Sequence, residues 1–226
     1  MIILYLIYII KKSNFCSVSR KVLLFVILAY LLGLPGISTA QDTVFAGRKN
    51  KIGFTTGSGF QYIGQLIGGN SHAIALHTTY YYRVTFYQLQ YYCALSRKHN
   101  FDIDLLFQPQ YNLTKYKQFD TVTNFMHAHE FGLNAGVLIR KNIALDTWSF
   151  YLCLSTGPHY ASGTPHRQAN GFLFSNSLFA GVNLKLYKSL YADFHTGIRH
   201  ISNAKFKYPN GGINAITINE GLMVVL

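Results

Sequence analysis

Phe101-Asp102-Ile103-Asp104-Leu105-Leu106-Phe107-Gln108-Pro109-Gln110-Tyr111-Asn112-Leu113 decides the fold class of this chain. Phe101, Ile103, Leu105, Phe107, Tyr111 and Leu113 alternate with Asp102, Asp104, Gln108, Gln110 and Asn112. A period of two belongs to a strand whose faces meet different surroundings. Further along, Phe131, Leu133, Ala135, Val137 and Ile139 alternate with Glu130, Gly132, Asn134, Gly136 and Arg140, with Leu138 as the exception. Trp148, Phe150, Leu152 and Leu154 face away from Ser149, Tyr151, Cys153 and Ser155, and Leu184 and Leu186 from Asn183 and Lys185.

Extending the pattern gives eight strand candidates, near 51–58, 84–95, 101–113, 128–140, 147–160, 172–186, 189–202 and 213–226. The links after the second, fourth and sixth are short and the other four are long. Short turns at one end and long loops at the other predict an all-β fold, an eight-stranded antiparallel transmembrane β-barrel of the outer-membrane type. Its polar faces, with Asp102, Asp104, Glu130, Arg140, Asp193 and Arg199, are expected to fill the lumen, and its apolar faces to meet lipid. A soluble barrel around an apolar ligand would need a strongly solvated outer face; Asn, Gln, Ser and Gly with few charges suit a hydrogen-bonded interior better.

Composition agrees. Half of the 226 residues are hydrophobic, 15% are aromatic and only 12% are charged, which excludes intrinsic disorder. Beyond residue 40 no uncharged apolar run approaches the roughly 20 residues of a spanning helix. Of the 20 Lys and Arg, set against 8 Asp and Glu, four (Lys11, Lys12, Arg20, Lys21) lie in the N-terminal 40 residues. The others are scattered, so the excess does not point to nucleic acid.

Those first 40 residues read as a signal peptide. Arg20 and Lys21 precede an apolar stretch from Val22 to Leu34, a Gly-Leu-Pro break and the small residues Ser38-Thr39-Ala40. Cleavage after Ala40 is expected to leave residues 41–226 as the barrel domain. Ile2 to Ile10, ahead of Lys11-Lys12, fits the pattern poorly, as an overlong start would. Cys16 leaves with the leader, and Cys93 and Cys153, in dissimilar settings, are expected as two unpaired thiols.

No Gly-x-Ser-x-Gly elbow, phosphate loop or His-Glu-x-x-His helix is present, and His127 and His129 share a strand face without an evident third ligand, so no metal is expected. The informative stretch runs from Arg199 to Asn214, Arg-His-Ile-Ser-Asn-Ala-Lys-Phe-Lys-Tyr-Pro-Asn-Gly-Gly-Ile-Asn. His200 and Ser202 are two apart at a strand end, so they share a face, with Cα atoms about 6.6 Å apart. In phase with Leu190, Ala192, Phe194 and Ile198, that face is the lipid-facing one. A histidine beside a serine there suits a base with its nucleophile; a polar rim where the strand leaves the membrane is the plainer alternative.

His200-x-Ser202-Asn203-Ala204 followed by Pro209-Asn210-x-Gly212-Ile213 resembles the C-terminal signature of the lipid A 3-O-deacylase (PagL) family. The resemblance implies an outer-membrane serine esterase that removes an ester-linked acyl chain from the lipid A of lipopolysaccharide, with no cofactor. It implies Ser202 as nucleophile, His200 as general base and Asn203 helping to hold the oxyanion. A glutamate orients the histidine in that family, and Asn214 stands in its place here. Lys205 and Lys207, with Arg167, are expected to hold lipid A phosphates from loops on the same side. The sequence leaves monomer and homodimer open. The competing reading is a catalytically silent outer-membrane barrel with a structural or surface-interaction role.

Overall fold

The computed structural model describes residues 49–61, 80–98, 100–119, 123–143 and 147–226. The expected signal peptide and Cys16 lie outside these residues. Eight strands run in chain order: β1 (Lys51–Phe60), β2 (Tyr82–Lys98), β3 (Phe101–Tyr116), β4 (Met126–Ile143), β5 (Trp148–Ala161), β6 (Gly171–Tyr187), β7 (Leu190–Ser202) and β8 (Ile213–Val225). Each pairs antiparallel with its neighbours, and β8 closes on β1, Lys51 facing Val225 and Phe60 facing Ile216. Closure leaves no free sheet edge.

The period of two in the sequence becomes an inside and an outside. Asp102, Asp104, Glu130, Arg140, Asp193 and Arg199 are all buried in the lumen, whereas Phe131, Leu152, Leu154, Phe172, Ile198 and Leu222 are exposed on the outer wall. The polar faces are not the whole interior. Tyr82, Val84, Phe86, Tyr116, Ala128, Leu173, Ile201 and Ile213 form an apolar layer inside the end that carries the long loops. Tyr92, Leu106, Leu138, Tyr151, Cys153, Phe179 and Met223 form a second layer toward the short turns. Leu138, the exception in the β4 pattern, is accounted for there: it points inward and belongs to that layer. Cys153 is buried in it, Cys93 is partly exposed on β2, and neither is in a disulfide.

Charged groups lock the interior across strands. Asp104 of β3 accepts Lys51 Nζ at 2.8 Å and Arg140 Nη1 at 2.7 Å, joining β1, β3 and β4. Asp193 of β7 accepts the Tyr151 hydroxyl and the Asn183 amide, each at 2.6 Å, and meets His195 Nδ1 at 2.9 Å. Glu130 of β4 pairs with Arg199 of β7, meets His159 Nδ1 of β5 at 2.9 Å, and accepts the Tyr82 hydroxyl of β2 and the Asn112 amide of β3, each at 3.2 Å. Side chains of four other strands thus converge on one carboxylate. Gly132 makes room for this cluster, since a Cβ there would stand 2.4 Å from the His159 ring. Buried charges are tolerable only when paired and hydrogen-bonded in this way.

Candidate active site

The site grows from the β7–β8 pairing, in which His200 faces Asn214 and Ile201 faces Ile213. Alternation turns Arg199 and Ile201 inward, 4% and 1% exposed, and sends His200 and Ser202 outward. On that outer face His200 Nδ1 and Asn214 Oδ1 are 2.7 Å apart. An amide oxygen can only accept, so Nδ1 carries a proton, and the neutral imidazole in this tautomer has its lone pair on Nε2. Gly212 lies against the imidazole: a Cβ there would come within 2.6 Å of His200 Cε1, and its φ of +66° is one that side-chain-bearing residues rarely adopt. Ser202 stands two residues on, opposite Phe174 of β6, and its hydroxyl makes no hydrogen bond among the described residues. The structure therefore joins His200 to Asn214 directly and places Ser202 beside them on one face.

Asn203 braces the loop at 203–212. It is 1% exposed, its backbone N–H donates to Asn210 Oδ1 at 3.0 Å, its Oδ1 accepts the Lys205 N–H at 3.1 Å, and its Nδ2 donates to the Lys207 carbonyl. These bonds hold two consecutive non-glycine residues, Ala204 (φ 52°) and Lys205 (φ 68°), in the left-handed region. One amide hydrogen of Asn203 remains uncommitted. Lys205 and Lys207 are exposed on the same loop, beside Phe206 and Tyr208, which are 74% and 77% exposed.

A second loop, at 162–170, is stitched to the first. Gln168 pairs with Asn210 and accepts the Gly212 N–H at 3.0 Å, Ala169 N–H donates to the Pro209 carbonyl at 2.7 Å, and Gly211 N–H donates to the Arg167 carbonyl at 2.7 Å. Arg167 itself donates to the Gly211 carbonyl and lies 4.9 Å over the Tyr80 ring, so its guanidinium braces the loop. Sequence reasoning missed Gln168 and Asn210 as supports; loops have no period to betray their contacts. It also missed a polar row on the outer face, where Asn176 faces both His200 and Thr156 and accepts the Thr156 hydroxyl at 2.7 Å. Strand pairing alone creates that row. Glu220 faces Phe194 in β7 and Thr56 in β1, six residues along β8 from Asn214, and takes no part in the site. His129 meets the Tyr111 hydroxyl at 2.6 Å, and His127 faces Lys115.

A closed eight-stranded barrel, apolar outside and polar or packed inside, defines the class as an outer-membrane barrel. A family model described as lipid A 3-O-deacylase (PagL) matches residues 80–222, and the chain belongs to that family. Among solved structures, that of the outer membrane enzyme PagL is 14% identical with a TM-score of 0.51, over 76% of this chain and 97% of that one. Neisserial surface protein A (NspA) is 11% identical with a TM-score of 0.44, over 79% and 97% respectively. No curated protein matches the chain.

Proposed function

We propose that this barrel is an outer-membrane serine esterase that hydrolyses an ester-linked acyl chain of lipid A, working after its leader is removed behind Ala40. The observation that carries the reading is the His200–Asn214 hydrogen bond on the outward face next to Ser202, within a chain of the lipid A deacylase family. In the neutral imidazole the bond puts the proton on Nδ1 and the lone pair on Nε2, as a general base requires. Ser202 Oγ adds to the ester carbonyl carbon while its proton passes to Nε2. The uncommitted Asn203 amide hydrogen donates to the oxyanion. Collapse releases the sugar hydroxyl, which takes the proton from His200, and leaves the fatty acid esterified to Ser202. Water, deprotonated by the same histidine, then frees the acid and restores the serine.

The site's level in the bilayer suits this substrate. The β7–β8 connection is one of the long loops, and long loops face outward in such barrels, so His200 and Ser202 meet lipid in the outer leaflet, where lipopolysaccharide resides. Mass spectrometry of lipid A from cells making the native chain is the direct test. One ester-linked acyl chain should be missing relative to cells without it; unchanged lipid A would leave the silent-barrel reading standing.

Asn214 orients the imidazole without a negative charge, so it cannot stabilise the imidazolium as a carboxylate would. Asn214→Glu should raise the deacylation rate about tenfold, Asn214→Ala should lower it about tenfold, roughly 1.4 kcal/mol each way, and Glu220→Gln should do little. A large loss in Glu220→Gln with a silent Asn214→Ala would reassign the third residue.

Lys205 and Lys207 are exposed cations beside the site and suit the phosphates of lipid A. Replacing both with Gln should raise the apparent KM roughly three- to tenfold with kcat nearly unchanged, and salt should shrink the difference. An unchanged KM at low salt would make them plain solvation.

A further inference from the structure

β3 lies four strands from β7 in either direction around the closed sheet, and its outer face carries a different cluster. Arg83 of β2 faces Lys115 of β3, and Lys115 faces His127 of β4. Val84, Thr114 and Ala128 beside them point inward, so the three cationic or ionisable side chains form one row on the outer wall, at the long-loop end. Lys117 follows two residues beyond Lys115. Aromatic rings hold these groups: Arg83 lies 5.0 Å over Phe60, and Lys115 and Lys117 lie 4.1 and 5.1 Å over Phe125. Rings position a cation but leave its charge uncompensated.

Among the described residues, the side-chain carboxylates lie elsewhere. Asp102, Asp104, Glu130 and Asp193 are in the lumen, and Glu220 is on the outer face of β8. Residues facing each other across strands have Cβ atoms about 4.5–5.5 Å apart, and like charges on such pairs destabilise a sheet. An anion lying over the row, reached by Arg83 from the β1 side and Lys115 from the β4 side, replaces repulsion with charge-assisted hydrogen bonds. Below the row on the same face the next rung is Thr85, Leu113 and His129, and beyond it Tyr87, Tyr111, Phe131 and Leu133 make an aromatic and apolar wall. Cations above an apolar wall match an amphiphile whose anionic head sits above its hydrocarbon chains.

We propose that Arg83, Lys115 and Lys117, with His127 ending the row, form a non-catalytic site on β2–β4 that binds the phosphate groups of a phosphorylated glycolipid packed against the wall. The site rests on the barrel spanning a membrane and is independent of the chemistry at Ser202. Its occupant is an annular lipid, held by its head group and never cleaved there.

The full chain folded in detergent tests this. Native protein, Arg83→Gln/Lys115→Gln/Lys117→Gln and the milder Lys115→Gln would be titrated with lipid A, with the same glycolipid stripped of phosphate, and with inorganic phosphate. Bound lipid would be counted by native mass spectrometry and stability read from the unfolding midpoint. Without lipid, Lys115→Gln should unfold at a higher temperature than native protein, because repulsion is relieved. With lipid A the order should reverse, and the variants should bind one lipid at least about tenfold more weakly, while ester hydrolysis of a dispersed short-chain substrate stays unchanged. Equal binding by native protein and variants overturns the proposal, as does equal binding of the phosphate-free glycolipid, which would leave only the apolar wall. Saturation by inorganic phosphate alone would make this a free-anion site and overturn the lipid assignment. Phosphate-dependent retention in a protein that hydrolyses nothing would uphold this site while refuting the esterase reading.

Discussion

Ser202→Ala and His200→Ala are each expected to lower release of fatty acid from lipid A by on the order of 10³-fold or more, with the barrel still folded. Both side chains point out from the end of β7, away from the packed interior, so truncating them removes no core contact. The double variant should lose little more than either single one, because a nucleophile and its base act as a unit and the second deletion has nothing left to remove. Lipid A mass spectra from cells expressing each variant give the readout, and heat-modifiable mobility on gels reports folding. Native-rate hydrolysis by Ser202→Ala would refute the mechanism outright.

The second large effect concerns stability. Glu130→Gln leaves Arg199 buried without its counter-charge and turns one of the two acceptor oxygens, that facing His159 or that facing Tyr82, into a donor amide. Breaking one partner of a buried pair costs about 3–5 kcal/mol, a large part of what holds a domain together. The unfolding midpoint in denaturant should fall accordingly, with the slope unchanged. Glu130→Gln/Arg199→Met should recover most of the loss, since the methionine needs no counter-charge and has an apolar neighbour in Phe86, over whose ring the guanidinium lies at 5.5 Å. A double variant as unstable as Glu130→Gln would mean that the hydrogen bonds around the carboxylate matter more than the charge.

The strands that were legible in the sequence are those whose two faces see lipid and a hydrogen-bonded interior. β3 and β4 are the clearest cases, because Asp102, Asp104 and Glu130 never share a face with Phe101, Phe107 or Phe131. β2 breaks the alternation that orients β3 and β4. Toward the long loops its inward residues are Tyr82, Val84 and Phe86 and its outward ones Arg83 and Thr85, which inverts the rule. The inversion has a cause: that end of the interior is packed with apolar side chains, and that end of the wall carries cations. At the site, spacing along one strand made the His200/Ser202 pair visible, and antiparallel pairing made Asn214 their neighbour. The brace was invisible, because Gln168 and Gly212 are 44 residues apart and meet only through loops without periodicity.

The filled interior has a consequence for the cell. Among the described residues, two apolar layers with ion pairs and amides occupy the barrel interior. An eight-stranded barrel is only just wide enough for its own side chains. A barrel filled in this way is expected to add copies to a membrane without adding ion conductance to it, which planar-bilayer recording of the folded protein would check.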